Sequence, residues 1–151
     1  MVNIYTAFEA VLKAALPQDC KIFQANMPQQ NMDSLARESA KICTYIIYKD
    51  RARLNTSGRT PVHEIAVEVS IFGTLAEADK MSNDLTDMLV SQVVESNGWN
   101  FDLVHAPTGK RDIWDQRIQG KREYLQFQGF AIEPETVEPE PEDVTGTAGQ
   151  S

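Results

Sequence analysis

Near the N-terminus, hydrophobic residues recur at helical spacing. Ile4, Phe8, Val11, Leu12, Ala15 and Leu16 share one face, and Glu9 and Lys13 lie on the other. The pattern predicts an amphipathic helix over 4–16, with Asn3 as N-cap and Pro17 as its end. A short strand is expected at 20–24. Over 25–41 the pattern dissolves: 25–31 is rich in Gln and Asn, holds Pro28 and reads as a loop, while 32–39 reads as one or two helical turns. The period then switches to two. Residues 43–50 predict a strand whose β-branched and aromatic residues occupy both parities, hence burial on both faces at its centre. Residues 51–61 read as a loop or as the frayed tips of a long hairpin. In 62–73, Ile65, Val67, Val69 and Ile71 alternate with Glu64, Ala66, Glu68 and Ser70, so one face packs on a core and the other meets solvent or a partner.

Thr74 and Glu77 form a capping box for a second helix, in which the Thr hydroxyl accepts from the Glu77 amide and the Glu carboxylate reaches back to the Thr74 amide. Its apolar stripe is Leu75, Ala78, Met81, Leu85, Met88, Leu89 and Val93, with Asn97–Gly98 as the C-terminal stop. Strands are expected at 99–106, 112–118 and 121–132, separated by turns at 107–110 and 119–120. The order α-β-β-β-α-β-β-β, with short connections, predicts an α+β fold: a mainly antiparallel sheet with two amphipathic helices packed on one face.

Charge divides the chain. Of its 151 residues, 14 are Lys or Arg and 22 Asp or Glu, a net −8. Six of the acidic residues and no basic one fall in 133–151, which also holds Pro134, Pro139 and Pro141 and no aromatic residue. That segment cannot offset the entropy of ordering and is expected to be a disordered tail, so that truncation after Ile132 leaves folding intact. The domain is then 1–132, nearly neutral at −2 (14 basic, 16 acidic). No apolar run approaches the ~20 residues of a membrane span, and the first 16 residues do not read as a signal peptide. Cys20 and Cys43, without a CxxC or a nearby His, read as free thiols of a reducing compartment.

Motifs for phosphate cradles and serine nucleophiles are missing from the sequence. His63 and His105 read as strand-end residues and Cys43 as a small core residue. Glu64 with Glu68, and Asp79 with Asp84 and Asp87, read as wet faces. Neither catalytic residues nor a cofactor or metal is expected. Two mixed-charge clusters remain. Lys49, Arg51, Arg53 and Arg59 surround the first long loop. Lys110, Arg111, Asp112 and Trp114 lie in the C-terminal hairpin, together with Arg117, Lys121 and Arg122. Mixed signs favour protein contacts over nucleic acid, and Trp114 reads as an anchor of the core or of an interface.

In order and spacing the chain resembles the tail terminator (tail completion) proteins of long-tailed bacteriophages. The features that match are the helix at 4–16, the strand CTYIIYKD at 43–50 and the loop with Ser57, Gly58 and Arg59. The strand HEIAVEVSIFG at 63–73 then runs into the helix at 74–93, and REYLQFQGFAI at 122–132 closes the chain. The resemblance covers roughly 1–132. It implies a small α+β domain forming a hexameric ring that caps the head-proximal end of the tail tube, stops its polymerisation and joins tail to head. The implied partners are the chain itself, the tail tube protein and a head-completion protein. No enzymatic activity and no specific nucleic-acid binding are implied, although DNA can pass through such a ring. The expected place is the virion, with the host cytoplasm during assembly. Alternatives are another head–tail connector or tube component, and a small cytosolic ligand-binding or enzymatic domain.

Overall fold

A computed structural model describes residues 2–25, 41–54, 61–115 and 120–134. It shows an α+β fold in two layers. Helices α1 (Ile4–Ala15) and α2 (Leu75–Val90) cover one face of a six-stranded sheet. The strands are β1 (Lys21–Gln24), β2 (Ile42–Leu54), β3 (Pro61–Gly73), β4 (Val94–Ser96), β5 (Trp99–Asp115) and β6 (Gly120–Ile132), in the spatial order β1-β2-β3-β6-β5-β4. All neighbours are antiparallel except β1 and β2, which run parallel.

The first helix forms as its pattern predicts. The Asn3 side chain accepts from the Thr6 amide at 2.9 Å, and Leu16, held extended before Pro17, closes the helix. Its stripe Ile4, Ala7, Phe8, Val11 and Leu12 is buried. Phe8 meets Tyr45 of β2 and Phe101 of β5 at ring-centroid distances of 5.8 and 5.4 Å. Packing outweighs capping here: a buried Phe→Ala costs roughly 3–5 kcal/mol, against about 1 for a lost N-cap.

The capping box of α2 is present in altered form. The Glu77 amide donates to the Thr74 hydroxyl oxygen, and that hydroxyl donates to the Glu77 carboxylate at 2.9 Å. Ala78, Met81, Leu85 and Leu89 are buried along the predicted stripe. The helix stops at Val90, where the Ser91 hydroxyl donates to the Asp87 carbonyl, and Val93 lies outside it, half exposed. The expected stop at Asn97–Gly98 is therefore corrected. With φ of 52° and 87°, these two residues make the tight turn joining β4 to β5, and the Gly98 amide donates to the Glu95 carboxylate at 2.8 Å. Asn-Gly between short apolar runs is a hairpin signal, because both turn positions need positive φ.

A second correction concerns β5. The turn expected at 107–110 does not reverse the chain. His105 pairs with Phe127 and Lys110 with Leu125, so four residues of β5 oppose one of β6 in a wide bulge. Pro107, which lacks a backbone donor, falls in that bulge. The two strands expected at 99–106 and 112–118 are thus one. In the first long hairpin β2 runs on to Leu54 and β3 begins at Pro61, with a register shift between Lys49 and Arg51. The loop expected at 51–61 is hairpin arm over 51–54, while 55–60 lie outside the described residues. The segments 26–40 and 116–119, and the tail from 135 on, also lie outside them.

The core fills the space between helices and sheet. Cys43, Tyr45 and Ile47 of β2, Ile65, Val67, Val69 and Ile71 of β3, Trp99, Phe101 and Leu103 of β5, and Leu125, Phe127 and Ala131 of β6 face the helices. Ile42 and Phe72 pair across β2 and β3 and are buried away from that core, on the opposite face. Burial on both faces of β2 therefore holds at its first half and gives way to exposure at Tyr48.

Candidate functional site

The two charged clusters do not converge. Arg53 is level with Val62 and Ile132, whereas Trp114 is level with Lys121 and Gly73. At ~3.3 Å per residue these positions are roughly 35 Å apart along the strands. Lys49 is exposed just past the middle of β2. Arg51 pairs with Glu64 and Arg53 with Val62, and Arg59 lies outside the described residues. Lys110, Arg111, Asp112 and Trp114, expected in or beside a turn, have their backbones in β5 opposite Leu125, Tyr124, Glu123 and Lys121. The far members of the two clusters thus lie at opposite ends of the sheet, while Lys49 and Lys110, level with Gly129 and Leu125, are four residues or roughly 13 Å apart.

Between them lies a surface the sequence pattern did not single out. Tyr48, Ala66, Gln128 and Val104 are register partners in one row across β2, β3, β6 and β5, on the face away from the helices, and all four are exposed. Tyr48 and Val104 are about half exposed and Phe130, two residues along β6, is 38% exposed. Lys49 and Glu64 join them around a groove of ≈ 620 Å³. The sequence signal for it was mixed: in 122–132 the parity opposite the core places Gln126 and Gln128 between Tyr124 and Phe130.

The candidate reactive groups are quenched or apart. Cys20 and Cys43 are buried free thiols. Burial pushes the Cys20 thiol up to about 11 and the Cys43 thiol well above its ordinary value, so neither supplies a thiolate near neutral pH. His63 is level with Ala131 and His105 with Phe127, roughly 13 Å apart along β6. His105 stacks on Phe127 at 5.2 Å. His63 lies against Trp99 at 5.8 Å, and its Nε2 is 2.6 Å from the Glu133 carboxylate. The Glu133 amide donates to the Pro61 carbonyl at 3.1 Å. A Cβ placed on Gly98 would come within 2.9 Å of Pro134. Ordered contacts therefore run two residues past Ile132.

Two further polar features tie elements together. Lys41 bridges Asp19 at 2.8 Å and Glu77 at 3.4 Å, joining the starts of β1, β2 and α2. The Lys41 hydrogen bond holds the Asp19 carboxyl below its ordinary value. The Thr74 hydroxyl does the same for Glu77, with Lys41 helping. The Tyr45 hydroxyl donates to the Glu9 carboxylate at 3.1 Å, and burial, then Glu9, push its pKa up. Among the described residues no group of three or more His, Cys, Asp or Glu is placed to hold a metal ion, and no helix is long and apolar enough to cross a membrane.

No protein-family model matches the chain, and no curated protein matches it in sequence.

Proposed function

We propose that the chain is a structural subunit of a phage virion, of the tail-terminator type. In this reading copies of it close into a ring, hexameric as the resemblance implies. The ring caps the head-proximal end of the tail tube, ends tube growth and presents its other side to a head-completion protein. The observation that carries the reading is that the two mixed-charge hairpin arms extend to opposite ends of one long sheet, with Arg53 and Trp114 roughly 35 Å apart along the strands. A joint between two structures needs two separate docking ends, and charged arms set partner choice and register there. The element order and the helices gathered on one sheet face fit the same reading. Protonated buried thiols and separated histidines weigh against the enzymatic alternative. A ring would use heterologous contacts that close by rotation.

The test is to add the protein to growing tail tubes and image them by negative stain. Shorter tubes with a density at one end are expected. Protein that neither binds nor caps tubes overturns the proposal, and tubes that lengthen by incorporating it would make it a tube component instead.

A further inference from the structure

The outer face of the sheet has an exposed apolar centre. Tyr48, Val104 and Phe130 stand there around the small side chain of Ala66. Large apolar side chains gathered in one patch on rigid strands mark a contact surface. The rows across the sheet show what fits it. In the order β2, β3, β6, β5, the central row reads Tyr48, Ala66, Gln128, Val104. The row on one side reads Arg51, Glu64, Phe130, Asp102. The register shift in β2 sets up that row. It skips Asp50 and places Arg51 beside Glu64, so the row begins at a basic position and ends at an acidic one. On the other side of the central row, Glu68 pairs with Gln126.

Each row is complementary to its own reverse. Consider a second copy laid face to face, related by a two-fold axis that runs along the strands between β3 and β6. This axis sets β2 over β5 and β3 over β6 within every row. Tyr48 then meets Val104 of the second copy, Ala66 meets Gln128 and Glu68 meets Gln126. The Arg51 position faces Asp102, and Phe130 lies over the methylene stem of Glu64. One row further out, Val62 faces Ile132. Each contact occurs twice, as an isologous interface requires. A two-fold axis running across the strands through the central row instead sets Glu64 against Glu68, like charge on like charge. Charge therefore selects the first axis. It also keeps the strands of the two sheets nearly aligned, the ordinary geometry for sheets packed face to face.

We propose that the outer sheet face is an interface with a second copy of this chain, in which Tyr48 packs on Val104 and Arg51 pairs with Asp102 across the two-fold. The patch is four strands wide and six residue steps long, roughly 15 by 20 Å. It buries on the order of 1,000 Å² in total, the low end for specific contacts. The dimer is accordingly reversible, with a Kd on the order of 10 µM. Its contacts are isologous, so they are separate from the heterologous contacts of the proposed ring and stand or fall without them.

Sedimentation equilibrium of the full-length protein over about 1 to 300 µM tests it, and a monomer–dimer equilibrium is expected. Val104→Glu should raise Kd at least about tenfold, and so should Asp102→Arg, which opposes two basic positions. Adding Arg51→Asp to Asp102→Arg should bring Kd back to within about threefold of the parent. Within one copy these two positions are three strands or roughly 14 Å apart, so pairing inside one chain does not account for such a rescue. Val104 and Asp102 are exposed, and circular dichroism verifies the fold of each variant. A protein that stays monomeric throughout, a dimer indifferent to Val104→Glu, or a double variant as weak as Asp102→Arg alone each overturns the proposal. A hexamer that ignores all of these changes overturns it too, and leaves the ring reading standing.

Discussion

At the scale of the residue, Gly129 admits no replacement. Its φ is 156°, and an added Cβ would stand 2.0 Å from the Asp102 carbonyl oxygen, a backbone atom of the neighbouring strand that cannot swing away. Gly129→Ala should cost about 2–4 kcal/mol, read as a lower urea midpoint at unchanged slope. A loss under about 0.5 kcal/mol would mean that the two strands separate easily there. The thiols make a second test at this scale. With Cys20 titrating near 11 and Cys43 higher, about one thiol in a thousand or fewer is ionised at pH 8. Neither should react with a disulfide reagent in the native protein, and both should react on unfolding. Rapid native reaction at pH 8 would contradict the burial assigned to them.

At the scale of the element, long periodic segments were legible and their ends were not. The helix α1 and the strand β3 follow from local pattern because each side chain's burial depends on its own periodicity. The stop of α2 was misplaced because Asn-Gly serves equally well after a helix and between two strands, and only the pairing of β4 with β5 decides between them. The bulge in β5 was read as a turn for a similar reason: Pro107 and Gly109 mark an interruption, and whether the chain then reverses depends on the neighbouring strand. The link Lys41–Asp19–Glu77 joins three elements that no sequence spacing relates. Its carboxylates titrate below their ordinary values, so they add stability above those values and lose it as pH falls through the depressed ones. Lys41, raised, adds stability up to its ordinary value and loses it in stronger alkali. Lys41→Met should therefore be less stable than the parent at pH 7, with the gap closing below about pH 4 in pH-dependent urea melts. A gap constant down to pH 3 would show that the link carries no stabilising charge interaction.

At the scale of the whole molecule, the boundary of the folded body sits past Ile132. Glu133 reaches His63 from 70 residues away and its carboxylate is 20% exposed, so the contact is partly shielded from water. Ending the chain at Ile132 should lower stability by about 1–2 kcal/mol relative to ending it at Pro134, measured as the difference between their denaturation midpoints. Equal midpoints would make the His63–Glu133 contact inconsequential. If the proposed ring forms, charge reversal at Arg53 and charge reversal at Lys121 should impair different contacts, because these positions, level with Ile132 and Gly73, lie at opposite ends of the sheet. Tube capping and head joining, assayed separately, should each respond mainly to one of them.

The amino-acid sequence by itself determined the class of the fold, both helices with their N-caps, the alternation that aims β3 at the core and the charge asymmetry of the C-terminal segment. These are local properties, set by neighbours within a few positions. Strand order, the parallel pairing of β1 with β2, the bulge that makes β5 one strand and the partner of His63 depend on contacts between distant residues, and only the tertiary structure decides them. The same holds for the surface. Tyr48, Ala66, Gln128 and Val104 come from four segments of the chain and become one row because hydrogen-bond register aligns them.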